Sequence, residues 1–266
     1  ASERSEQPQL AARDAVLTID RSTGLVAGYS RAGQVLLRGG APNFFRAMTD
    51  NDIGAGVDSS HQVWRDLSEK RTLRSIIVDP AGAVTVRHAL GAGGGWFETR
   101  YVMAVDGQVE VTATFTPVKE DLPDPLRIGM AFTIPAALDQ LEWFGRGPQE
   151  SYVDRKTGAA LGLWHGAVAE QHHDYTRPQE TGGKTDLRWL RLSGADMPDL
   201  RVTGAAPLAV NVLAFPYQDL MMQPVGKAHS SDIRPHGEGT LLIDAKQAGV
   251  GGNTGWSTAG RPLPRY

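Results

Sequence analysis

From Val16 onward, apolar and polar side chains alternate along this chain with a period near two, which marks half-buried strands rather than helices. Residues 16–20 read Val-Leu-Thr-Ile-Asp and stop at Ser22-Thr23-Gly24, after which residues 25–29 resume the pattern. The same grammar recurs at 34–37, 75–78, 84–86, 97–102, 109–115, 129–134, 186–192, 200–203, 208–213 and 240–244, with most segments bounded by Gly, Pro or Asp. A helical period shows weakly in only two places, residues 61–70 and 216–222. Many short strands with short connections predict antiparallel sheets packed face to face, an all-β fold. Residues 1–14, polar and without a period, read as a linker or disordered N-terminus, and residues 15–266 as one large sandwich domain.

Composition changes this picture little. Hydrophobic residues make up 41% and charged residues 21%, so the chain can bury a sizeable core. The 31 Gly and 16 Pro supply the turns that many short strands require. A net charge of −3, without a long run of either sign, gives no electrostatic support for nucleic-acid or anionic-membrane partners. No apolar run approaches the roughly 18 residues of a spanning helix. With no cysteine, disulfides and thiolate metal sites are excluded, while cytoplasm and periplasm both stay open as compartments.

Four segments carry candidate chemistry. In FRAMTDNDIG (residues 45–54), Asp50, Asn51 and Asp52 are residues that pin a loop by side-chain-to-backbone hydrogen bonds. Asp50 and Asp52 are also cation-ligand types, but a calcium loop needs more oxygen ligands and a distal Glu, which the segment lacks. Residues 55–60 are small and polar, and are expected to be mobile. In WFGRGPQESYVDR (143–155), Glu150 and Asp154 lie four apart beside Arg155. They are either an acid/base pair, which needs carboxyls about 5 Å apart across a cleft, or a turn in which arginine clamps a carboxylate; nothing in a Pro-Gly turn guarantees the first spacing, so the clamp is expected. His172 and His173 precede YTRPQETGGKTDLRWL (175–190); as neighbours they point to opposite sides of an extended chain and make a poor metal pair. GVGGNTGW (249–256) lacks the GK[ST] of a phosphate loop. Its Trp256 is either a platform for the apolar face of a sugar ring or a plug of the core beneath the loop.

In this order and spacing, the four segments resemble the C-terminal, small-chain region of glycoside hydrolase family 2 β-galactosidases. The resemblance covers about residues 15–266 and implies a galactose-mutarotase-like supersandwich. It implies also that the two catalytic Glu lie on a separate (β/α)8 barrel, of which this chain has no trace. The domain would then be non-catalytic, with no cofactor or metal of its own, and would complete the substrate pocket of that barrel on the same chain or a large subunit. The resemblance places Trp256 and Asn253 at the β-galactoside and makes Gly54 the start of a loop over the pocket. Asp50, Asn51, Asp52, Glu150, Tyr152, Asp154, Arg155, Pro178 and Glu180 would be architectural.

Two other classes compete. An aldose 1-epimerase needs a His acid and a Glu base converging on the sugar ring, for which His165, His173 and Glu180 are the candidates. A stand-alone carbohydrate-binding module would use Trp256 as its platform and bind galactose near or below millimolar.

Overall fold

The computed structural model describes residues 7–118, 121–221 and 229–251. The chain divides into two compact units, Ala1–Pro42 with Asp66–Leu122, and Asn43–Arg65 with Pro123–Tyr266. Within each, the described strand pairs are antiparallel, as the alternation predicts.

The first unit is built from two meanders. β1 (Gln9–Ala12), β2 (Ala15–Ile19), β3 (Val26–Arg31) and β4 (Gln34–Asn43) pair in sequence order. So do β5 (Thr72–Val78), β6 (Val84–Ala89), β7 (Gly95–Met103) and β8 (Val109–Pro117). Leu10, Leu17, Ile19 and Val26 of the first meander pack with Val84, Val86 and Tyr101 of the second in one hydrophobic core. β1 lies within the segment read from sequence as a linker: Leu10 is buried and sits opposite Leu17, so four residues suffice to add a strand. The β2–β3 turn is knotted by Asp20, whose carboxylate accepts from the Ser22 and Thr23 backbone and hydroxyls. Gly24 follows at φ +70°, where a Cβ would come within 2.6 Å of Leu73 Cδ1, so the turn tolerates only glycine there.

The second unit holds six strands. Its strands are β9 (Arg127–Ile134), β10 (Gln140–Gly147), β11 (Ala160–Ala167), β12 (Lys184–Gly194), β13 (Met197–Leu213) and β14 (Gly239–Gln247). They pair in the order β9-β14-β13-β12-β10-β11. The sequence pattern separates 200–203 from 208–213, yet both lie in β13. The register shift between Leu187↔Leu208 and Trp189↔Thr203 absorbs Gly204 and Pro207, and Pro has no N–H for a ladder. β10 and β11, with Gly at 145, 147, 162 and 166, give a weak strand signal; cross-strand pairing such as Trp143↔Trp164 makes them strands.

Helix is sparse. The stretch at 61–70 contains α3, Gln62–Glu69, while the described residues of the stretch at 216–222 form a 3-10 turn, Tyr217–Leu220, started by Pro216. Two short helices were not legible: α1 (Asp50–Gly54) and α2 (Val57–Ser60). Asp50-Asn51-Asp52 is therefore not an irregular loop. Thr49 caps α1 by accepting the Asp52 N–H at 3.1 Å, and Asp52 returns the bond by accepting the Thr49 N–H at 2.9 Å. Residues 57–60, expected to be mobile, are helical, with Val57 buried.

Candidate functional site

The four sequence segments meet in the second unit, around the short stretch of backbone that leaves β14. Arg46 and Asp52, both with fully buried side chains, form an ion pair at 3.1 Å. The same guanidinium donates to the Ala248 carbonyl at 3.0 Å and the Gly249 carbonyl at 2.8 Å. The Asp154 carboxylate accepts the backbone N–H of Val250 at 3.1 Å and of Gly251 at 2.9 Å. Asn51 donates to the Val250 carbonyl at 3.4 Å, and the Ala248 N–H reaches the Leu126 carbonyl at 2.8 Å. Backbone polar groups of four consecutive residues are thus held by side chains from two distant segments, which fixes the root of the Gly-rich loop. Asn253 and Trp256 lie outside the described residues.

The third segment closes the ring. One Glu150 oxygen accepts from Arg155 and from the Tyr175 hydroxyl, and the other accepts the Gly182 N–H at 2.8 Å. Burial and the bond to Glu150 raise the Tyr175 phenol above its usual range. Arg177 and Gln179 hold Asp50, and although burial opposes ionisation, the Arg177 bond leaves this carboxyl below its usual range. Pro178 is buried between them. Asp50 and Asp52 therefore serve separate ion pairs, with Arg177 and Arg46, and Glu150 and Asp154 accept from the arginine, tyrosine and backbone donors just named. Gly54 ends α1 and is partly exposed.

Beneath the ring is a buried polar network in which Glu180 is central. Its Oε1 accepts from Arg127 at 3.0 Å, Asn211 at 2.8 Å, and Tyr152 and Gln247 at 3.4 Å each. Burial pushes the Tyr152 phenol well above its ordinary range, and Glu180 adds to the effect. Asp244 lies 3.6 Å from Arg127 without hydrogen-bond geometry; burial raises its carboxyl to about 7, only partly offset by the guanidinium. Lys184 is also buried, 5.2 Å from the centre of the Trp143 ring, and burial lowers its amine to about 8 against the pull of Glu150. Sequence reading missed Arg127, Asn211, Asp244 and Lys184. Part of the signal was there: Asn211 interrupts the apolar run Ala-Val-Asn-Val-Leu, Asp244 ends Leu-Leu-Ile-Asp, and Arg127 opens Arg-Ile-Gly-Met-Ala-Phe.

Two adjoining cavities share Arg155 and Tyr175. One, of about 350 Å³, is lined also by Gln149, Glu150 and His173. The other, of about 210 Å³, is lined also by Asp50, Asn51, Gln179, Glu180 and Val250. The three epimerase candidates are not joined: His165 is exposed on β11, His173 meets the Tyr175 ring edge to face with centroids 4.5 Å apart, and Glu180's described partners include no histidine.

Comparison with known proteins adds family information. The family model described as beta galactosidase small chain matches residues 11–266. A beta-galactosidase of Priestia megaterium is 34% identical over 247 residues, which are 91% of this chain and 23% of the relative. One of Vibrio cholerae is 30% identical over 262 residues, 91% of this chain and 24% of the relative. One of Lactobacillus delbrueckii subsp. bulgaricus is 31% identical over 223 residues, 82% and 21% respectively. The chain thus spans less than a quarter of the length of these relatives.

Proposed function

This chain belongs to the beta-galactosidase small-chain family, and on that premise we propose that it is the non-catalytic part of a glycoside hydrolase family 2 β-galactosidase. Its role is to complete the substrate pocket of a separate (β/α)8 catalytic barrel, on the same chain or on a large subunit. Trp256 and Asn253 are the substrate-side residues of the Gly-rich loop, and Gly54 opens the neighbouring segment. No cofactor or metal is assigned to it. The single observation that supports this reading most is the clamp on residues 248–251, where Arg46 holds two carbonyls and Asp154 two N–H groups. Such a pre-ordered loop root suits presentation of a side chain to a ligand better than mere chain closure. The two carboxylates that sequence offers as an acid/base pair are both bound to structural donors, which supports locating the chemistry elsewhere.

The test is hydrolysis of a chromogenic β-galactoside by this chain alone and by the complete enzyme. Turnover is expected only from the complete enzyme. Turnover by the chain alone, abolished by Glu150→Gln, would overturn the proposal. In the complete enzyme, Trp256→Ala is expected to raise KM without lowering the melting temperature; unchanged kinetics with a large melting shift would make Trp256 a core residue.

A further inference from the structure

Strands β10 to β13 of the second unit use their two faces differently. On one face Leu141, Trp143, Leu190 and Leu192 are buried, as a core-facing side requires. The opposite face should then be polar. Instead, a row of direct cross-strand neighbours, Leu163↔Phe144↔Trp189↔Thr203, runs over β11, β10, β12 and β13. Leu163 is 61% exposed, and Leu161, two residues back on the same face, is 47% exposed. β11 also ends the strand order, and its residues, Ala-Leu-Gly-Leu-Trp-His-Gly-Ala, include no proline, lysine, arginine or carboxylate to discourage docking. Apolar side chains gathered in this way mark an interaction surface, unlike single surface hydrophobes.

The charges limit what covers it. Glu142 and Asp199 both bind Arg191, at 3.3 and 3.0 Å. Arg201 lies over the Trp189 ring at 4.8 Å and Arg188 over the Phe144 ring at 5.7 Å, and neither makes an ion pair among the described residues. Trp and Arg are the residue types that anchor protein interfaces. The matching partner surface is apolar at its centre and carries carboxylates for the two arginines. A second copy docked by the same face about a two-fold axis would set arginine against arginine, which is disfavoured. This chain spans less than a quarter of the length of its relatives, and the remaining part of such an enzyme is the nearest source of a different surface.

We propose that the Leu163–Phe144–Trp189 row, with Arg188 and Arg201, is the face on which this domain docks an acidic, apolar-centred surface of the rest of the enzyme. The proposal rests on the reading that the chain is one part of a larger β-galactosidase.

The test places the only thiol of residues 1–266 at an outward position, as Leu163→Cys in the complete enzyme. Maleimide labelling at position 163, read by peptide mass spectrometry, is expected to be slower by about ten-fold or more in the native enzyme than in denaturant. Adding Arg188→Glu/Arg201→Glu should restore most of the labelling rate, because the partner's carboxylates then face like charge. A photo-crosslinker at position 163 should capture a peptide from outside residues 1–266. Native labelling as fast as in denaturant would overturn the proposal, as would capture of a second copy alone or protection that charge reversal leaves unchanged. Normal hydrolysis of the chromogenic substrate by an enzyme that labels freely at 163 would sink this proposal alone and leave the functional reading standing.

Discussion

The Asp154 carboxylate accepts the backbone N–H of Gly251 at 2.9 Å, tying the turn after β10 to the last described residue of the Gly-rich loop. The pair is 97 residues apart in sequence, and its two-point hold includes Val250 at 3.1 Å.

Replacing Asp154 therefore acts on the loop rather than on the core. Asp154→Ala should cost about 1–3 kcal/mol of stability, from two charge-assisted bonds near the surface. In the complete enzyme its KM should rise more than its kcat falls, with Asp154→Asn recovering part of the difference. Steady-state kinetics beside thermal melts of both variants would sink the idea if the two parameters moved in step.

Arg46 is a different case, because its partner is buried. Arg46→Met leaves the Asp52 carboxylate without its counter-charge and frees two carbonyls, at Ala248 and Gly249. Loss of one partner of a buried pair costs about 3–5 kcal/mol. The double variant Arg46→Met/Asp52→Leu should be less destabilised than the single one, measured by denaturant unfolding. A double variant as unstable as the sum of the two singles would contradict the ion-pair account.

Asp244 gives stability a pH dependence of definite sign. Its carboxyl is raised to about 7 from an ordinary 3.8, so between these values the folded state keeps a proton that the unfolded state has released. Its contribution is therefore full below about pH 4, declines as pH rises to about 7, and is flat above. Asp244→Asn should remove a decline of about 2–4 kcal/mol. Melting curves of both proteins from pH 4 to 8 check this; parallel curves would refute it.

Lys184 shifts in the opposite direction. Its amine is lowered from 10.5 to about 8, so the folded state carries the full burden of a buried cation below pH 8. That burden lifts between about 8 and 10.5, where the unfolded state alone stays protonated. Lys184→Met should be more stable than wild type by about 2 kcal/mol at pH 7, with the gap closing by pH 10. A Met variant less stable at pH 7 would mean that the contact with the Trp143 ring, at 5.2 Å, outweighs desolvation.

Much of the fold was legible because strand alternation is a local property. Residues 16–20 and 84–86 announce their buried faces by period two alone, and Leu17 and Val86 are indeed core neighbours. α1 was not legible, since its five residues are too short to show a helical period and its stability comes from the Thr49–Asp52 capping box. For the candidate site, an arginine clamp on a carboxylate of this turn was readable and falls on Glu150 through Arg155, but the backbone partners of Asp154 and Glu150 were not. Val250, Gly251 and Gly182 contribute backbone N–H groups, which every residue carries and no residue letter reveals.

By itself, then, the sequence determined the strand-rich antiparallel character of the chain, the four polar segments and their order. Alternation, turn chemistry and composition act over a few residues, so they are readable without knowing what lies across the sheet. Only the tertiary structure decided that Arg46, Asp154 and residues 248–251 meet, that four described donors converge on one Glu180 oxygen, and that Asp244 and Lys184 sit where water cannot solvate their charges. Those outcomes depend on distance and dielectric between residues up to 203 positions apart, and neither quantity is carried by any local run of the chain.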